Sequence, residues 1–141
     1  MRLTTFTDYG LRMLMRLASE PGRVLSTADL AEEFGISRNH LAKITQHLER
    51  AGFVETRRGG RGGAVLARPA DQIGLGTVIG ILEDGQPLVE CLGTDGGNCS
   101  INGVCRLKAR LRSAERAFLS DLERSTLADI ALPATRIPAQ A

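Results

Sequence analysis

The sequence predicts a winged helix-turn-helix domain extended by a long C-terminal helix, mainly α with a small β wing. Three observations point there. Two capped helical segments flank the tight turn Gly35-Ile36-Ser37; an Arg- and Gly-rich hairpin follows from Phe53 to Ala67; and an amphipathic stretch runs from Arg106 to about Glu123. At 141 residues the chain has the length of one ordinary domain able to bury one sizeable core. Hydrophobic residues at 43% and charged residues at 24% exclude disordered and fibrous classes. With 4% aromatics and no Trp, the core must be built from Leu, Ile, Val and Ala. The longest uncharged apolar run, Gln72 to Leu82, is too short to span a bilayer, and Arg2, Asp8, Arg12 and Arg16 interrupt any signal-peptide core. A soluble cytoplasmic protein with no membrane partner is expected.

The first helix is predicted from a Thr7 cap to about Ser19, with Leu11, Leu14, Met15 and Ala18 on its buried face, and Pro21-Gly22 ends it. Ser26 or Thr27 caps a second helix carrying Leu30, Ala31 and Phe34, with Gly35 placed to terminate it. Ser37 caps a third, which turns Leu41, Ile44 and Leu48 inward and stops at Ala51-Gly52. Two strands, Phe53–Thr56 and Ala64–Ala67, are joined by the loop from Arg57 to Gly63. After Pro69 a short apolar helix is expected from Thr77 to Glu83, then a loop rich in Gly, Asn and Asp. The last helix places Leu107, Leu111, Ala114, Phe118 and Leu122 on one stripe. A chain this short has little core left to cover that stripe, which points to a partner subunit. The expected division is 1–70 for the DNA-binding domain, 71–104 for the short helix and loop, 105–130 for the dimerisation helix and 131–141 for a flexible tail.

Net charge is only +2, but its distribution is uneven. Residues 38–68 hold seven basic and two acidic residues, whereas 69–104 hold no Lys or Arg and five acids. A basic block on a helix and a following wing suits double-stranded DNA. Arg38, Asn39, His40 and Lys43 are the side chains placed to read base edges in a major groove. Arg57, Arg58 and Arg61 on the wing are placed to contact phosphates or a minor groove. The wing glycines lack the Gly-Lys-Ser/Thr of a phosphate loop, and Gly74-Leu75-Gly76 lacks the third dinucleotide-fingerprint glycine. His40 and His47, seven residues apart on one helix, stand too far apart to share a metal. No nucleophile, base and acid set presents itself, so an enzyme is not expected.

Cys91, Cys99 and Cys105 fall within fifteen residues. Their odd number disfavours a disulfide framework, and three thiolates on one flexible loop suit an iron–sulfur cluster. A 4Fe–4S cubane leaves one iron to find another ligand, with 2Fe–2S as the alternative. By chemistry the fourth ligand comes from Asp8, His40, His47, Glu90, Asp95 or a small molecule.

The run Phe6-Thr7-Asp8-Tyr9-Gly10-Leu11-Arg12, then Ser37-Arg38-Asn39-His40-Leu41, then Arg58-Gly59-Gly60-Arg61-Gly62-Gly63, then the three cysteines and Arg106-Leu107, resembles the winged-helix iron–sulfur transcription regulators. This group includes IscR and the nitric-oxide-sensing NsrR-type repressors, and the likeness is to the latter branch. It covers almost the whole chain, to about Asp129-Ile130. The resemblance implies a homodimer that binds operator DNA while a cluster on Cys91, Cys99 and Cys105 is intact and lets go when nitric oxide attacks it. It also implies Asp8 as a ligand contributed by the other subunit. IscR-like members instead use a His shortly after the third cysteine, and here Lys108 occupies that neighbourhood with no His after Cys105. Two rivals remain: an iron–sulfur-supply or redox sensor on the same fold, and a zinc-bound interaction module.

Overall fold

The computed structural model describes residues 2–60 and 62–133. In chain order its helices are α1 (Thr5–Ala18), α2 (Thr27–Phe34), α3 (Arg38–Arg50), α4 (Leu75–Leu82) and α5 (Arg106–Glu123), with strands β1 (Val54–Arg57) and β2 (Gly63–Leu66) between α3 and α4. Single 3-10 turns at Ala70–Gln72, Glu90–Leu92 and Leu127–Ile130 punctuate the connections. The expected fold class, a mainly helical winged helix-turn-helix with a β wing, is the one found.

Helix α1 starts earlier than the Thr7 cap predicts. Thr4 is the cap, and its hydroxyl accepts from the Thr7 amide at 3.2 Å. Thr4 wins because Glu83, from beyond α4, accepts from its amide at 2.8 Å and its hydroxyl at 2.9 Å. Thr7 is thereby drawn inside the helix and fully buried. The other caps are local. Ser26 and Ser37 accept from the amides of Asp29 and His40, and Gly35 ends α2 at φ +66°, a left-handed conformation that a Cβ would strain. Helix α2, this turn and α3 form the helix-turn-helix.

The two strands pair antiparallel, Val54 opposite Leu66 and Arg57 opposite Gly63. Leu25 adds a third, one-residue rung by exchanging amide and carbonyl bonds with Ala64 at 2.9 and 2.8 Å. The close approach at its neighbour explains a glycine there, since a Cβ on Gly63 would lie 2.0 Å from the Leu25 carbonyl oxygen.

One core joins α1 to α4 and the wing. Met13, Leu14 and Leu17 of α1 meet Leu30 of α2, Leu41, Ile44 and Leu48 of α3, Val54 and Ala64 of the wing, and Val78 and Leu82 of α4. Each such leucine contributes about 1.5–3 kcal/mol by leaving water. Ile73 and Leu127, both fully buried, belong to the same cluster. The core therefore does not stop at residue 70. The 105–130 segment is also not one helix: α5 ends at Glu123, and the chain returns so that Thr126 bridges Gly74 and the Leu127 amide donates to the Ile73 carbonyl at 2.8 Å. Of the 131–141 tail, the Leu132 amide bonds the Met15 carbonyl at 3.4 Å, and residues 134–141 lie outside the described residues.

Helix α5 buries no residue at all. It touches α4 along its C-terminal half, where Gly76 lets the Leu119 carbonyl come in and Glu123 accepts from the Thr77 amide and hydroxyl at 2.6 and 2.9 Å. Its N-terminal half stands away from the core, with Leu107 at 62% exposure.

Candidate nucleic-acid interface and cysteine loop

Helix α3 turns Arg38, Asn39, Lys43 and Gln46 to solvent, opposite the face that buries Leu41, Ile44 and Leu48. His40 is only half exposed. Its ring lies edge-on to Tyr9 of α1, centroids 5.8 Å apart, and the Arg12 guanidinium sits 5.1 Å from the centre of the same Tyr9 ring. Arg12 in turn grips Asp8 through two hydrogen bonds, Nη2 to Oδ2 at 2.9 Å and Nε to Oδ1 at 3.2 Å. Asp8, Arg12, Tyr9 and His40 thus form a continuous surface row from α1 to α3. His47 is different: its Nε2 is 3.1 Å from the Ile81 carbonyl of α4 and its ring packs edge-on against Phe6. It is a packing residue that joins α3, α4 and α1.

On the wing, Arg57 and Arg58 are exposed, Arg57 sharing a hydrogen bond with Glu55 at 3.3 Å. Arg61 lies outside the described residues. Arg68, counted with the basic block in the sequence, turns back instead. Its Nε donates to the Gly52 carbonyl at 3.3 Å and its guanidinium stacks 5.1 Å from the Phe53 ring centre, bracing the corner between α3 and β1. Nothing local in the sequence separates Arg68 from the wing arginines; only its position at the exit of β2 sets it over that corner.

The three cysteines are free thiols, Cys91 and Cys105 half-buried and Cys99 exposed. Cys91 sits in the 3-10 turn Glu90–Leu92 and Cys105 caps α5 without a side-chain bond. Between them the chain folds through left-handed glycines 96 and 97, and Glu90 accepts from the Asn98 amide at 3.4 Å. Among the described residues no three His, Cys, Asp or Glu side chains stand close enough together to hold a metal ion. The donor set nonetheless suits a soft metal centre by its chemistry: three thiols, none in a disulfide or sealed in the core, on a loop rich in glycine. Sequence reasoning also missed an open cleft of about 740 Å³ beside this loop, lined by Leu3, Thr4, Glu83, Glu90, Phe118 and Leu119 among others.

The Rrf2 family model, described as an iron-dependent transcriptional regulator, matches residues 3–132. The chain belongs to the Rrf2 family. The fold is similar to that of Staphylococcus aureus CymR in its oxidized form, at 28% identity and a TM-score of 0.71, covering 93% of this chain and 96% of that one. The B. subtilis CymR (YrzC), described as a global cysteine regulator, is 27% identical with a TM-score of 0.71 and the same coverage. The T. potens IscR is 27% identical with a TM-score of 0.69, covering 92% of this chain and 85% of that one. As an Rrf2 member the chain is a DNA-binding transcriptional regulator and not an enzyme. These similarities set the family without choosing a branch, since the CymR and IscR structures stand at nearly equal distance. No helix among the described residues is long and apolar enough to cross a membrane.

Proposed function

We propose that this Rrf2 regulator is a homodimeric repressor that responds to nitric oxide through an iron–sulfur cluster, 4Fe–4S, held by Cys91, Cys99 and Cys105 of one copy and Asp8 of the other. The observation that carries the reading is the set of three free thiols on the single loop between α4 and α5 in a family described as iron-dependent. When bound, the cluster supplies iron atoms that coordinate nitric oxide; everything else is done by the chain. Cys91, Cys99 and Cys105 fix the loop, and Asp8, exposed on α1, is free to leave Arg12 for a stronger partner. The loop leaves α4 just after Ile81 and Glu83, which hold His47 of α3 and Thr4 of α1. Loop conformation and recognition-helix position are thereby joined. Arg38, Asn39, His40 and Lys43 read the operator, Arg57, Arg58 and Arg61 take its backbone, and the Leu107, Leu111, Ala114, Phe118 and Leu122 stripe pairs two copies. A coupling of about 3 kcal/mol between loop state and DNA affinity gives roughly a 150-fold change in operator binding.

A second reading, a redox sensor acting through the thiols alone, is favoured by the exposure of Cys99 and by the likeness to a CymR structure in an oxidized form. Anaerobic purification with iron and sulfide counts, followed by nitric oxide titration of operator binding, tests both. Visible absorption that disappears in Cys99→Ala, with DNA released by nitric oxide, supports the first. A colourless protein whose DNA binding follows thiol oxidation replaces it with the second.

A further inference from the structure

Glu49 is an acid where an acid is disfavoured twice over. It lies in the last turn of α3, where the helix dipole repels negative charge. It is exposed, and it sits in the basic block whose partner is polyanionic DNA. The compensating contact is with the wing: Glu49 Oε1 accepts from the Thr56 amide at 3.1 Å and from the Thr56 hydroxyl at 2.6 Å.

Register explains why Thr56 needs this partner. Thr56 faces Ala64 across the hairpin, and the Ala64 amide and carbonyl are both taken by Leu25 on the other side. The Thr56–Ala64 pair is therefore one that exchanges no ladder bonds, and the Thr56 amide points outward from the open edge of β1. Glu49 closes that edge. The hydroxyl and amide of Thr56, in that order, outweigh desolvation and with Arg58 hold the Glu49 carboxyl below its ordinary pKa, so the clamp stays ionised through the neutral range.

We propose that Glu49 is a positioning residue that locks the wing to the recognition helix, so that Arg38, Asn39 and Lys43 and the wing arginines meet one duplex in fixed relative placement. This rests on the reading of α3 and the wing as the two DNA-contacting elements. Glu49 itself touches no base or phosphate; it acts through Thr56. Because electrostatics alone says that losing an acid from this face tightens DNA binding, the clamp and the bare charge have opposite signs.

The test uses the purified full chain, a duplex it selects from a random library, and a shuffled duplex of the same composition. Glu49→Ala is expected to bind the selected duplex about tenfold more weakly while binding the shuffled duplex as well as or better than wild type. Glu49→Gln keeps an oxygen acceptor for Thr56 and is expected to bind the selected duplex at least as tightly as wild type. Thr56→Ala weakens selected-duplex binding in the same sense, and the Glu49→Ala/Thr56→Ala pair is no weaker than Glu49→Ala alone. Tighter binding of both duplexes by Glu49→Ala, or additive losses in the pair, overturns the proposal. Thr56→Ala and Glu49→Gln leave the core untouched, so the outcome stands even where Glu49→Ala is poorly folded. Arg38→Ala and Arg58→Ala serve as controls: if they bind both duplexes like wild type, the DNA-contact reading itself fails and takes the clamp with it.

Discussion

Asp8 and Arg12 face each other across one turn of α1, carboxylate to guanidinium through two hydrogen bonds, with each side chain about half exposed, at 50% and 48%. An exposed pair four residues apart contributes only about 0.3–0.5 kcal/mol. Asp8 is thus held loosely enough to be taken by a better partner. Arg12→Ala is expected to move the thermal midpoint by no more than about 2 °C. A drop of 6 °C or more in a calorimetric scan would show that the pair is structural and that Asp8 is not available to anything else.

The contact of α4 with α5 depends on glycine at one place and tolerates a side chain one turn later. A Cβ on Gly76 would lie 2.1 Å from the Leu119 carbonyl oxygen, a backbone atom that cannot swing aside, whereas a Cβ on Gly80 meets only Leu119 Cδ1 at 3.8 Å. Gly76→Ala should cost about 2 kcal/mol or more by wedging the helices apart. Gly80→Ala should be neutral or stabilise by up to about 1 kcal/mol through helix propensity. Denaturant melts of the two variants check the ordering, and equal midpoints would contradict the packing.

Glu83 carries a pH signature. Burial opposes its ionisation, but hydrogen bonds from Thr7 and from the Thr4 amide and hydroxyl outweigh it and bring its pKa below the ordinary 4.5. A carboxyl with a lowered folded pKa adds stability that is fully present above its unfolded value and lost as pH falls through the folded one. Stability is therefore expected to be flat near neutrality and to fall below about pH 4.5, and the fall should be shallower in Glu83→Gln. Parallel acid-denaturation curves for the two proteins would remove Glu83 from the account.

Base reading and backbone contact separate on salt. Arg58→Ala should weaken selected and shuffled duplexes alike and make the slope of log K against log salt shallower by about 0.9. Arg38→Ala should relax preference between the two duplexes. Identical behaviour of the two variants would undo the division between recognition helix and wing.

How much of this was legible in the sequence depended on the reach of each interaction. Helix α3 was readable because its Ser37 cap, its Leu41, Ile44 and Leu48 spacing and the preceding Gly35 all lie within fifteen residues. The wing was readable from its glycines and arginines. The start of α1 was not, because Thr4 and Thr7 are equally good caps and the choice is made by Glu83, 79 residues from Thr4. Arg68 entered the sequence only as one charge of the basic block, because its charge is local and its partner, Gly52, is sixteen residues away. Leu127 has no periodic neighbours to mark it, so its place in the core appears only once the chain has turned back from α5. The cysteines announce a shared loop, while the distances between their sulfurs depend on a segment with almost no core contact.

That return has a consequence for anyone who would cut and splice this molecule. Leu127 fills the same core as Leu14 and Leu48, and the Leu75 amide is bonded to the Ser125 carbonyl. Reading head and long helix are therefore not interchangeable cartridges. A chimaera joined after the wing, or a fragment ended at Glu123, would leave a hole in the head itself. Grafting this head onto another sensor requires carrying residues 125–130 across with it, so heads and sensors in this architecture are exchanged as interleaved pieces of chain and not as consecutive ones.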